Sequence, residues 1–166
     1  VGKPTRAVTE TKTTSLGYFK VYGGYATNTD VFNGTEVTTN NQGSTWEYAV
    51  PQYWVPGKTY RFAAVGPSDA VPSANFTYDD NDAGHDGRLD FMYTLTDLTA
   101  SKDLVYAEAD RTTASPLVEA NYAAVEFTFG HIMSWIKIKF VHAMTNGYKI
   151  TVSDVKVEGV KTGATF

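Results

Sequence analysis

Cysteine is absent from the 166-residue chain. That one absence removes disulfides, thiol nucleophiles, iron–sulfur clusters and Cys-type zinc sites together. It leaves the compartment open, because an exported protein with a large core needs no bridges. Leucine is scarce, with six residues against 23 threonines. Helices draw on Leu, Ala and Glu, so an all-helical bundle is disfavoured. No long run of like charges occurs, and 14 basic against 18 acidic side chains give a net −4. A phosphate backbone is held by grouped Lys and Arg, so nucleic acid is not an expected partner. No stretch approaches the 18 apolar residues of a membrane helix, and no basic-then-apolar leader opens the chain. The expected form is therefore a mature or trimmed chain. The G-x-S-x-G elbow, the S-x-x-K pair and Gly-rich phosphate loops are missing as well.

What the chain has instead is rings and β-branched residues. It carries 11 Tyr, 9 Phe and 3 Trp, with 42% hydrophobic and 19% charged residues. These side chains suit a pleated, half-buried surface. At this length a single domain hides about two-thirds of its unfolded surface, enough for a core without staples.

Residues 1–14 combine a proline with scattered charges and no apolar period, and read as a flexible N-terminal arm before one domain over 15–166. Order is expected from Leu16, with Phe19 and Val21 sharing a face and Gly23-Gly24 marking a bulge or bend. A short strand is expected near Gly34–Val37. Trp46, Tyr48 and Val50 alternate up to Pro51, and Pro56-Gly57 is a turn pair. Tyr60, Phe62 and Ala64 form the next apolar face, followed by Leu89, Phe91, Tyr93 and Leu95 and by the run Leu104–Ala107. Short strands separated by turn signals point to a sandwich or barrel. Val125, Phe127 and Phe129 are odd, whereas Ile132, Ile136, Ile138 and Phe140 are even. A strand cannot change parity without an extra residue, so an irregularity is predicted around Gly130–Ser134. Tyr148, Ile150 and Val152 against Val155 and Val157 predict another at Ser153-Asp154, and Asn146-Gly147 is a hairpin turn signal. Val118–Ala124 and Val71–Phe76 are the candidate helices. The predicted core is Phe19, Trp46, Tyr48, Tyr60, Phe62, Phe91, Phe127, Phe129 and Phe140.

Four groups of residues could carry chemistry. The densest polar cluster spans residues 78–90. Counting a twelve-residue calcium loop from Asp79 puts Asn81 at the third position, Gly84 at the sixth and Asp90 at the last, with Asp86 between. Ala83 breaks that pattern, and a solvated turn rich in Asp, Asn and Gly is the plainer reading. The histidines, His85, His131 and His142, have no zinc-ligand spacing and fit hydrogen-bonded core or rim roles. A glycosidase pair would need two facing carboxylates, which spacing alone does not identify. Trp46, Trp54 and Trp135 could form a sugar-stacking platform, though strand parity turns most of the rings inward. No cofactor is expected.

The stretch SLGYFKVYGGYA, then TWEYAVPQYWVPGKTYRFAAVGP, then KDLVYAEA, VEFTFGHIMSWIKIKF and YKITVSDVKVEGVKTGATF resembles, in that order, the first-domain pattern of the Bacteroides fimbrillin-like (Mfa-like) pilus proteins. The likeness covers about residues 15–166. It implies an all-β fold, a transthyretin-like Greek-key β-sandwich of about seven main strands. It also implies a non-catalytic structural or adhesive subunit of a cell-surface pilus, exported to the outer membrane as a lipoprotein precursor and anchored there only through its lipid. Other pilin subunits would be its partners, by β-strand complementation. The family's proteolytic processing after an N-terminal Arg would fall on Arg6. The family's second domain and lipid-bearing Cys have no counterpart here. A carbohydrate- or host-ligand-binding sandwich module is the alternative reading, and an enzyme a distant third.

Overall fold

In the computed structural model the described residues are 13–25, 31–71, 73–77, 88–94, 102–117, 124–133, 138–141, 147, 149–156, 158 and 163–165. A single helical turn, α1 (Thr13–Leu16), leads into β1 (Tyr18–Gly24). Then follow β2 (Phe32–Thr38), β3 (Thr59–Gly66), β4 (Ala74–Thr77), β5 (Arg88–Thr94), β6 (Val105–Thr112), β7 (Gly130–His131) and β8 (Gly163–Thr165). They form two antiparallel sheets, one in the order β2-β1-β3-β6-β7 and one in the order β4-β5-β8. Of the expected arm, residues 1–14, the first twelve lie outside the described residues, and Thr13 and Thr14 belong instead to α1.

The first sheet is buried on both faces. Tyr60, Phe62 and Ala64 of β3 join Phe19 and Val21 of β1 and Val105 and Ala107 of β6 in one cluster. The intervening Ala63 and Val65, with Tyr22 and Leu104, meet Phe76, Leu89 and Phe91 of the second sheet in another. A strand covered on both sides needs a continuous apolar run, and FAAV at residues 62–65 supplies one. The second sheet covers one face of the first, and aromatic side chains from loops, Trp46 and Trp54 among them, lie over the first sheet's other face.

Two glycines fix the twist of β1. Opposite Val21 and Tyr22, β2 carries one residue too many, because Thr35 and Asn33 are the partners and Gly34 is left over. Gly34 has φ +73, and a Cβ there would lie 3.1 Å from the Tyr22 hydroxyl oxygen. This is a bulge built on a left-handed glycine, and it makes room for the Tyr22 ring. At Gly23, φ +139, a Cβ would stand 2.0 Å from the Arg61 carbonyl oxygen, so β1 and β3 approach only because no side chain intervenes. The predicted irregularity at Gly23-Gly24 thus begins one residue earlier, in the β1–β2 ladder.

Several expectations are met with a shift of boundary. The strand near Gly34–Val37 extends to Phe32 and Thr38, and the strands at 60–64 and 89–93 are β3 and β5. The irregularity expected around Gly130–Ser134 is not seen at residues 129–132. Phe129 packs on the first cluster and Ile132 on the second, as odd and even positions of one unbroken extended segment do, so the switch of parity reflects a sheet covered on both faces and not a slip. Asp154, at φ 55, marks the second irregularity. Other expectations fail. Val71–Phe76 is no helix; it leads into β4. Residues 46–50 make no strand, only the bridge between Glu47 and Thr38. With side-chain bonds among Thr39, Asn41 and Thr45 holding the preceding turn, the segment runs as a loop. Tyr48 is accordingly 39% exposed rather than core, and Phe140 is 59% exposed.

Candidate functional site

Beneath the loop aromatics, the first face of the five-stranded sheet is a trough of about 1530 Å³. Its floor is Phe19, Val21, Tyr60, Phe62 and Val105, held in register by the β1–β3 and β3–β6 ladders. Ring packing builds its walls. Trp46 lies 5.0 Å from Phe19, centroid to centroid, and Phe129 lies 5.1 Å from Phe19. Trp54 meets Tyr60 edge-on at 4.7 Å and 89°, and Tyr48 meets Phe32 in the same manner at 5.3 Å. Edge-to-face pairs of this kind are worth about 0.5–1.5 kcal/mol beyond the area they bury.

Polar contacts fix the Trp54 wall. The Tyr60 hydroxyl accepts the Val55 N–H at 2.7 Å, and Thr113 Oγ1 donates to the Val55 carbonyl at 2.7 Å while accepting the Lys58 N–H at 2.9 Å. The Pro56-Gly57 turn expected from sequence is thereby tied to the end of β6, with the Gly57 N–H donating to the Ala114 carbonyl. The Arg111 guanidinium sits 5.8 Å over the Trp54 ring. Its Nη2 donates to the Ala124 carbonyl at 3.2 Å.

The opposite wall is residues 124–131. The ladder between β6 and β7 consists of Val105 with His131 and Tyr106 with Gly130, whereas β6 pairs with β3 along its whole length. Beyond Tyr106 the outer edge of β6 has no ladder with 124–129. His131 Nδ1, 2.8 Å from Asp103 Oδ2, and the Ile132 N–H donating to the Leu104 carbonyl anchor this wall at one end.

A second polar group lies on the other side of the sheet. Lys102 Nζ pairs with Asp69, and Tyr18 hydrogen-bonds the same carboxylate. Burial alone would raise the Asp69 pKa. The hydrogen bonds from Lys102 and Tyr18 and the Lys102 charge outweigh it and hold the carboxyl below its ordinary range. The Asp69 hydrogen bond, followed by an opposing desolvation effect, leaves Lys102 raised. Nearby, Ser68 Oγ donates to Glu36 Oε2 at 2.7 Å and Lys20 Nζ donates to the Val71 carbonyl at 3.1 Å. These contacts fasten the turn after β3 to β1 and β2. The Tyr106 phenol is pushed well up, by burial first and then by its bond to Glu108.

The candidates from sequence do not converge. Asp79, Asn81 and Asp86 lie outside the described residues, as do Arg6, His85, His142 and Trp135. Asp90 is on β5, where the Arg88 guanidinium donates to its Oδ1 at 2.7 and 2.9 Å. Among the described residues no group of three His, Asp or Glu side chains could hold a metal ion. Trp46 and Trp54 are half-buried against the core, Trp46 tilted on Phe19 and Trp54 edge-on to Tyr60, and are not laid flat as a stacking platform. The contacts that sequence reasoning missed, His131 with Asp103 and Lys102 with Asp69, join residues 28 and 33 positions apart and left no motif.

These features define an all-β domain of two packed sheets with an aromatic recess on the face of the larger sheet turned away from the smaller one. The chain belongs to the fimbrillin-like family, whose family model (Mfa-like) matches residues 5–166. This is a family of structural proteins of cell-surface pili rather than of enzymes. No curated protein and no solved structure matches the chain significantly. Among the described residues no helix is long and apolar enough to cross a membrane.

Proposed function

We propose that this chain is a non-catalytic structural or adhesive subunit of a surface pilus, which joins other pilin subunits by strand addition. The observation that carries this reading is the trough lying beside a β6 edge whose ladder to β7 stops after two residue pairs. An extended segment placed there would continue the main-chain ladder and lower alternate side chains onto Phe19, Tyr60 and Phe62. Processing after Arg6 would be the step that makes the domain competent for addition. In the same reading the fold is a transthyretin-like Greek-key sandwich, and the precursor is an outer-membrane lipoprotein in a Bacteroidetes bacterium.

The test is assembly of the protein as its gene encodes it. Full-length protein treated with trypsin should form ladders that resist SDS, and Arg6→Ala should abolish them. Treated wild-type protein that stays monomeric would sink the reading. A glycan-binding module is the second reading, favoured by Tyr53, which is 87% exposed beside Gln52 at the trough mouth. It predicts that Tyr53→Ala abolishes retention on a glycan array.

A further inference from the structure

The outer edge of β6 carries a pattern of its own. In an antiparallel ladder both main-chain groups of a residue point to the same side, and successive residues alternate. The Thr113 N–H donates to the Lys58 carbonyl, so odd positions along β6 turn toward β3. Even positions turn outward, as the Leu104 carbonyl does when it accepts the Ile132 N–H. After Tyr106, which pairs with Gly130, the next outward residues are Glu108 and Asp110. Their N–H and C=O groups meet no main-chain partner among the described residues.

The chain has a segment of its own for that lane. Continued past Tyr106, the β7 register would set Phe129 opposite Ala107, Thr128 opposite Glu108, Phe127 opposite Ala109 and Glu126 opposite Asp110. The apolar parity is right, since large rings would lie beside small alanines. Yet the ladder stops. Phe127 and Phe129 reach instead to Phe19 on β1, two strands further in, with ring centroids 6.1 and 5.1 Å away. The segment leans over the trough and leaves the lane beside β6 open. The misfit lies on the other face, where Glu126 would meet Asp110, because like charges directly opposite are destabilising.

We propose that Glu108 and Asp110 select the strand that this edge accepts: a partner segment with large apolar residues against Ala107 and Ala109, and Lys or Arg against the two carboxylates. The proposal rests on strand addition as the function of the edge. Residues directly opposite in a ladder share a face, so the apolar side chains of such a segment enter the trough and its basic ones meet Glu108 and Asp110. Both acids are exposed. Glu108 Oε1 accepts the Tyr106 hydroxyl, and Asp110 Oδ2 pairs with Arg61. Glu108 Oε2 and Asp110 Oδ1 take part in neither contact, and each can receive a cation from across the ladder. Glu126 is then the residue that keeps the chain's own segment off β6 and the edge available.

Short labelled peptides alternating Val with Lys, with Gln or with Glu are the probes. They are added to trypsin-treated full-length protein after the protease is quenched, and binding is read by fluorescence anisotropy. The Val–Lys peptide should bind about tenfold tighter than Val–Gln, and Val–Glu should bind weakest. Glu108→Gln combined with Asp110→Asn should erase that preference. Asp69→Asn combined with Asp90→Asn, which removes as much charge elsewhere, should keep it. Glu126→Lys should let residues 124–129 close on β6, slowing amide exchange at Glu108 and Asp110 in NMR spectra and excluding all three peptides. Equal binding of the three peptides overturns the proposal and leaves strand addition standing, whereas binding of none overturns both. A preference that survives loss of Glu108 and Asp110 overturns it as well, by giving the effect to net charge. So do amides at 108 and 110 that exchange no more slowly in Glu126→Lys.

Discussion

Asp69 shows at the scale of single residues how the charges in this protein act. Its pKa is held low in the folded state by Lys102 and Tyr18. A depressed carboxyl contributes stability that is present above its unfolded pKa and is lost as pH falls through the folded one. Lys102 is raised, so its share is present below its unfolded pKa and fades only as pH rises past the folded value. Asp69→Asn should therefore lower the melting temperature at pH 7, and its gap to wild type should close as pH drops below about 4. A gap of constant size down to pH 2 would show that the carboxylate contributes packing rather than charge. Both side chains are nearly half exposed, so the effect should be modest and should shrink in high salt. None of this was legible in the sequence, because an ion pair between distant positions depends on how the turn after β3 meets the chain before β6. The Phe19, Tyr60, Phe62 and Phe91 core was legible, because alternation with period two is a local signal and the sheets preserve it.

Bulges and turns decide what each strand presents at the scale of elements. β2 is the outer strand of the first sheet, and an edge invites unwanted pairing. Its Gly34 bulge kinks it and seats Tyr22. Gly34→Ala would put a side chain in left-handed backbone, at about 1–2 kcal/mol, and would also press its Cβ against the Tyr22 ring. A loss of stability in that range by urea denaturation is expected, and an unchanged midpoint would count against the bulge as built. The sequence pointed to a disturbance here through Gly23-Gly24 but placed it in the wrong strand, since glycine marks where a backbone is permissive and not which partner needs it. The switch from odd to even apolar positions near Gly130 misled for a different reason: a sheet covered on both faces accepts apolar residues of either parity, and Phe129 and Ile132 pack in different clusters with no slip between them. Residues 46–50 misled because alternation also suits a loop that lays one tryptophan on a core.

At the scale of the whole molecule, the family and the all-β class follow from many weak signals in the right order. The described residues hold a recess lined by rings beside a sheet edge whose ladder to β7 stops after two residue pairs.

The central strand β3 has one more consequence. Its successive side chains belong alternately to two hydrophobic clusters, Tyr60 and Phe62 to one and Ala63 and Val65 to the other. Neither cluster can melt while β3 stays in place for its neighbour, so the two layers should unfold as one cooperative unit. Phe62→Ala, a truncation that typically costs about 3–5 kcal/mol, would then shift the transitions reported by Trp fluorescence and by far-ultraviolet circular dichroism by the same amount, with the two curves still coincident. A subunit built this way does not fray by layers under stress; it holds whole or it lets go at once.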